Sequence, residues 1–255
     1  MRTSIAVPRM QPATETASAE PGWEGLYTLG GTASLILIVI TLCQFVLFVL
    51  WPPPLEGSAA DWFALFQRSR LLGLLSFELL LVVYALLSIP VALALYGALR
   101  RTSPAFSALY LALALVGAAT FVAARPALEM LTLSDHYAAA TGEAQRAAYL
   151  AAGETLLATF DGAAFHASYL LGSIQGLVIA WVMLHSPLFG KGIAYLRLAS
   201  SVLDFGLYVP GIGLFLSMGS VVCLLVWNLW IARRLLQLGQ GISPTPGARP
   251  ADHRR

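Results

Sequence analysis

Charge is what this sequence has least of. Only 11% of its 255 residues are Asp, Glu, Lys or Arg, where soluble domains carry about 25%. That deficit excludes an ordinary soluble enzyme and a disordered chain. Lysine is nearly missing: Lys191 stands alone against fourteen arginines. With the Ala-rich composition, this bias points to a GC-rich bacterial genome. A net charge of +2 with dispersed basic residues excludes a nucleic-acid partner read by charge. Cys43 and Cys223 both sit in apolar runs without a C-x-x-C spacing, and read as small buried apolar residues. The sequence has no P-loop, dinucleotide fingerprint, G-x-S-x-G elbow or H-E-x-x-H.

What is present is apolar bulk. Hydrophobic residues make up 58% of the chain and the mean hydropathy is +0.75. That is too much for one water-soluble core, so the lipid bilayer is the expected solvent and principal partner. Six apolar segments are expected as spans, at about 27–51, 71–99, 106–124, 160–184, 193–208 and 213–232. The fifth is marginal against the roughly 20 residues a crossing needs. The expected fold class is all-α: a polytopic bundle of six transmembrane helices over residues 25–238. Polar tails at 1–24 and 239–255 flank it and read as disordered.

Basic residues orient the bundle. Arg2, Arg9, Arg100, Arg101, Lys191, Arg233 and Arg234 fall on one side of a six-span model. By the positive-inside rule that side is the cytoplasm, with both termini there and the chain in the inner (plasma) membrane as a multi-pass protein. On the outer side, Ala59 to Arg70 has an apolar face at helical spacing and reads as an interfacial helix. Thr141 to Thr159 leads into the fourth segment as a long outward helix with a bend at Gly162. Ser103-Pro104-Ala105-Phe106 and Ser186-Pro187-Leu188-Phe189 form a weak internal echo of the kind left by a duplicated hairpin.

Polar residues at membrane depth are where chemistry would sit, because burying them in lipid is costly. Arg197, Ser201, Asp204 and Tyr208 follow steps of 4, 3 and 4 and share one helix face. Asp161, Ser168, Gly172 and Gln175 make a second stripe, which Glu154 extends; Gly30, Ser34, Thr41 and Gln44 make a third. Glu78 lies near the outer end of the second segment, and Arg125 and Glu129 are spaced to pair at i, i+4. If these faces converge, Glu78, Arg125, Asp161, His166, Arg197 and Asp204 line an outward-opening polar cavity, with Arg125 as counter-charge to the acids. The opposing reading is that Ser, Thr, Gly and Gln are helix-packing glue. His166 is five residues from Asp161, on a different side of a helix. No metal site, cofactor or catalytic set is therefore expected.

The run Met183-Leu184-His185-Ser186-Pro187-Leu188-Phe189-Gly190-Lys191-Gly192-Ile193-Ala194-Tyr195 resembles the M-L-x-S-x-x-F-x-K-x-x-A-Y turn of a bacterial six-helix membrane family known as domain of unknown function 4386. Pro210 to Ser217 and Ile231 to Gly239 are similar to it as well. The resemblance implies six spans over about residues 25–240 and a cytoplasmic turn at Lys191. It implies no activity and no functional residues. Three functional readings stay open: a binder of a small or lipid-like ligand, a proton- or cation-coupled transporter using Glu78, Asp161 and Asp204, and an intramembrane lipid-modifying or metal-assisted enzyme.

Overall fold

The computed structural model describes residues 22–241, and among them every regular element is helical. The expected tails fall mostly outside the described residues. The elements are α1 (Glu24–Leu50), α2 (Ala59–Arg68), α3 (Arg70–Ser76), α4 (Leu79–Leu99), α5 (Pro104–Ala123), α6 (Ala127–Ala139), α7 (Glu143–Phe160), α8 (Ala163–Leu184), α9 (Lys191–Asp204), a 3₁₀ turn (Phe205–Tyr208) and α10 (Gly213–Gly239).

Five stretches are long and apolar enough to cross a membrane: Glu24–Leu50, Leu79–Leu99, Pro104–Ala139, Glu143–Leu184 and Phe215–Gly239. Large apolar side chains point away from the protein along them, among them Val49, Leu86, Val222 and Phe215. In water such a surface would be a continuous liability; in lipid it is the ordinary outside of a bundle. The chain is a multi-pass integral membrane protein. α9, at 14 residues, covers about 21 Å and does not reach across a hydrocarbon core by itself.

Helix neighbours close into a ring: α1 packs on α4, α4 on α5, α5 on α8, α8 on α9, α9 on α10, and α10 back on α1. Small residues tighten it. A Cβ at Gly30 would lie 2.6 Å from Ala94 Cβ, and one at Gly31 would lie 2.7 Å from Leu236 Cγ, so α1 approaches both neighbours closely. Six helices in a ring cannot all meet at the axis, so the ring leaves room inside. Pro90 does not break α4, which runs through it.

The four remaining helices, α2, α3, α6 and α7, gather at one end as a cap with its own core of Trp62, Phe63, Phe66, Phe77, Met130 and Phe160. Here the expected interfacial helix is corrected. The apolar face of α2 is amphipathic as read, but Trp62, Phe63 and Phe66 are covered by protein and not by headgroups. Glu154 accepts the Ala59 backbone N–H at 2.8 Å, which caps the start of α2 from α7. Asp61 takes both the backbone N–H and the hydroxyl of Ser58 at 2.8 Å.

Each junction between cap and bundle is a helix break with a local cause. The expected second segment, 71–99, is interrupted at Phe77–Glu78, where Glu78 adopts φ +63°. α5 stops before Arg125–Pro126, because Pro126 has no N–H and restrains the residue before it. The single long outward helix expected through Gly162 is instead two helices: the chain breaks at Asp161–Gly162, where the bend was expected, and α7 packs onto α2 and α6.

Candidate functional site

The first buried charge cluster lies where the cap meets the bundle. Arg125 donates through Nε to Glu78 Oε2 at 2.6 Å and through Nη1 to the carbonyls of Phe160 at 3.0 Å and Ala124 at 3.3 Å. Its guanidinium also sits over three rings, Phe121, Phe160 and Phe165, 4.2–4.9 Å from their centroids. The charge of this arginine, its Nε and Nη1 donors and its ring-facing sides are used. The break at Glu78 aims its carboxylate at Arg125, and the break at Pro126 frees Arg125 from α6. That same break removes the expected Arg125–Glu129 pair, and Glu129 is exposed instead. Asp161 is exposed at the end of α7 and lies within electrostatic reach of Glu78.

The second cluster lies inside the ring, around a cavity of about 370 Å³. That volume is near the lower end of the ~300–1,000 Å³ typical of small-molecule sites. Most of its wall is apolar, with Leu37, Leu81, Ala85, Val91, Ala114 and Leu224 among the lining residues. Its polar groups come from all six helices of the ring, with Thr41 on α1. α9 contributes Arg197 and Asp204, α8 Tyr169 and Gln175, α10 Ser220 and Asn228, α4 Tyr84, and α5 Tyr110.

Arg197 is held in place but not neutralised. Gly176 of α8 leaves it room: a Cβ there would strike Ser201 Oγ and lie 2.6 Å from Arg197 Nη2. The guanidinium is 5.1 Å from the centroid of Trp227, and Nη2 makes one long bond of 3.4 Å to the Gly172 carbonyl. Its buried Nε has no hydrogen-bond partner among the described residues, nor do Gln175 Oε1, Ser201 Oγ and Trp227 Nε1. Three of these residues, Gln175, Arg197 and Trp227, line the cavity; buried polar atoms are almost always satisfied, so three orphans on its lining mark a place for something else to complete.

Asp204 lies two turns further along α9 and is better served. The Ser220 hydroxyl donates to its Oδ1, and the Tyr169 side chain lies within its electrostatic reach. Tyr169 in turn meets Ser217 Oγ at 2.9 Å.

The six residues expected to share a cavity therefore divide. Glu78 and Arg125 pair with each other under the cap, Asp161 is exposed beside them, and Arg197 and Asp204 line the interior cavity. His166 is exposed, with Nδ1 3.2 Å from the Tyr208 hydroxyl. Among the described residues no three His, Cys, Asp or Glu side chains gather as metal ligands, so Asp161, His166 and a third acid do not converge as the metal-assisted reading requires. The stripes on α1 serve packing in part: Ser34 bonds back to the Gly30 carbonyl and Gln44 reaches the Leu75 carbonyl. Sequence reasoning missed α10. Ser217, Ser220, Leu224 and Asn228 recur at steps of 3 and 4 and form the cavity's sixth wall.

The fold and site define a multi-pass helical membrane protein with a partly polar cavity inside its ring of helices. The chain belongs to the family described as domain of unknown function (DUF4386), whose model matches residues 29–239. No curated protein and no solved structure matches it.

Proposed function

We propose that this protein binds a small or lipid-like amphiphilic ligand in the cavity inside its helical ring. The observation that carries this reading is the combination of a mostly apolar wall with a buried arginine whose Nε lacks a partner. An amphiphile matches both features: its chain replaces contacts along the wall and its head completes the polar end. We include in the proposal a sixth crossing made by α9 and the 3₁₀ turn. Together they extend about 29 Å at the usual rises per residue. Both termini are then cytoplasmic, with Arg100, Arg101, Lys191, Arg233 and Arg234 on the cytoplasmic face, the cap outside, and the protein in a bacterial plasma (inner) membrane. The proposal needs no catalytic residue and no cofactor. A sensor, a permease or an accessory subunit is a role such a site admits.

A second reading has one observation in its favour. Asp204 faces the same cavity as Arg197, and a carboxylate within reach of an arginine can couple proton or cation movement to substrate. Asp204→Asn abolishes transport under that reading and only changes affinity under the first.

Filling the cavity tests binding directly. A Cβ at Gly172 meets nothing within 4 Å, and Gly172 lines the cavity. Gly172→Leu therefore occupies ligand space without a backbone clash. Native mass spectrometry of the protein released from its membrane should show a small bound amphiphile in the wild type and its loss in Gly172→Leu. Identical spectra for the two proteins would contradict the proposal.

A further inference from the structure

The composition of the polar wall says which sign of charge the ligand's head carries. Arg197 is the cation of the cavity, and among the described residues it makes no ion pair. The cavity's acid, Asp204, stands seven residues along α9, about 10 Å along the helix axis at 1.5 Å per residue; it is within electrostatic reach of the guanidinium without forming an ion pair, and the Ser220 hydroxyl engages it. The groups gathered near Arg197 are rich in N–H and O–H donors. Trp227 Nε1 and Arg197 Nε are both donors, both buried and both without a partner. The side chains of Tyr84 and Tyr110 lie within electrostatic reach of the guanidinium.

A cationic head would meet a like charge, and the one cavity carboxylate within electrostatic reach of Arg197, Asp204, is already held by the Ser220 hydroxyl. A neutral head would leave the buried guanidinium without a directly paired anion, which is the costly arrangement in a low-dielectric interior. An anionic head accepts from both orphan donors and neutralises the charge in one step. The guanidinium is additionally fixed by the space at Gly176 and by the Trp227 ring, so little ordering remains when an anion arrives.

We infer that the ligand is a singly charged anionic amphiphile, with its carboxylate-like head at Arg197 and Trp227 and its chain along the apolar wall towards Leu37, Leu81 and Ala85. This rests on the binding reading given above and narrows it. Charge and chain are separable, so the two ideas fail in different ways.

The test uses the full chain in phosphatidylcholine nanodiscs and saturation binding of tritiated decanoate, with empty nanodiscs subtracted. Unlabelled decanoate, decyl phosphate, decanol and decyltrimethylammonium serve as competitors. Decanoate is expected to saturate at one per protein. Decanol and decyltrimethylammonium should compete at least tenfold more weakly than decanoate. Decyl phosphate, which carries about −1.5 to −2 at pH 7, separates a carboxylate head from a phosphate head: weaker competition than decanoate assigns the head as a singly charged carboxylate, and stronger competition overturns that assignment. Arg197→Gln should lose tenfold or more in affinity, with Arg197→Lys between it and the wild type. The competition series uses wild-type protein and stands even where a variant fails to fold. Equal competition by decanol and decanoate overturns the anion inference and leaves amphiphile binding intact. Absence of saturable binding for decanoate and for tritiated decanol alike overturns both.

Discussion

Arg125 and Arg197 are buried to the same degree, each 7% exposed, and they have opposite surroundings. Arg125 has a carboxylate, two carbonyls and three aromatic faces. Arg197 has one ring, one long carbonyl bond and an unpartnered Nε. The first arginine is a finished structural joint between cap and bundle. The second is held open. Burial of a charge in a membrane protein is thus a poor guide to function unless its partners are counted. A saturated arginine spends its binding capacity on the fold, and an unsaturated one keeps that capacity for a ligand at a cost in stability.

The contrast can be broken at several points. The largest effect is expected from Arg125→Met, which leaves the Glu78 carboxylate buried without its partner. Removing one member of such a pair costs about 3–5 kcal/mol. Equilibrium unfolding should register that loss, and the double variant Arg125→Met/Glu78→Gln should recover most of it. A neutral Arg125→Met would mean the joint is not what fastens the cap.

A smaller and more selective effect is expected at Gly176. Alanine there gains about 1 kcal/mol of helix propensity and loses about 1–3 kcal/mol to crowding of Ser201 and Arg197. The net change in thermal stability should be within about 2 kcal/mol. Decanoate affinity should fall by several-fold, because the crowding displaces the guanidinium itself. Unchanged affinity would separate the position of Arg197 from binding.

The smallest effect belongs to the cap's surface. Hydrogen bonds from the Ser58 hydroxyl and backbone hold the Asp61 carboxyl below its ordinary pKa of 3.8. A carboxyl depressed in the folded state contributes stability above its unfolded pKa and loses it as the pH falls through the folded value. Asp61→Asn should therefore lower the melting temperature slightly at neutral pH. The gap should close below pH 3.8, as thermal melts across pH can record; a gap that persists there would show that charge is not the cause.

How much was legible in the sequence follows from which interactions are local. The absence of charge and the long apolar runs identified a membrane protein, because the bilayer imposes length and composition on each helix separately. The α9 stripe placed Arg197 and Asp204 on one face, because phase within a helix is local as well. What went unread depends on distant partners. Arg125 and Glu129 had pairing distance only if one helix joined them, and Pro126 ends that helix; the true partner, Glu78, is 47 residues away. The apolar face of α2 was visible, but its cover comes from α6 and α7 and is not lipid. Glu154 looked like an extension of the α8 stripe and instead caps α2 across 95 residues. The break at Glu78 had no signal of its own, since its left-handed backbone is not that of a glycine. The α10 wall did have a signal, in the spacing of Ser217, Ser220, Leu224 and Asn228.

The most direct test of the account treats the two arginines alike. Arg125→Met and Arg197→Met would each be placed in phosphatidylcholine nanodiscs, and melting temperature and decanoate binding measured on the same samples. The account predicts a crossed result. Arg125→Met melts well below wild type and its folded fraction binds decanoate normally, whereas Arg197→Met melts at or above the wild-type temperature and binds none. If instead Arg197→Met is destabilised like Arg125→Met while decanoate binding survives, Arg197 is a second structural joint and the cavity is not a site for anions.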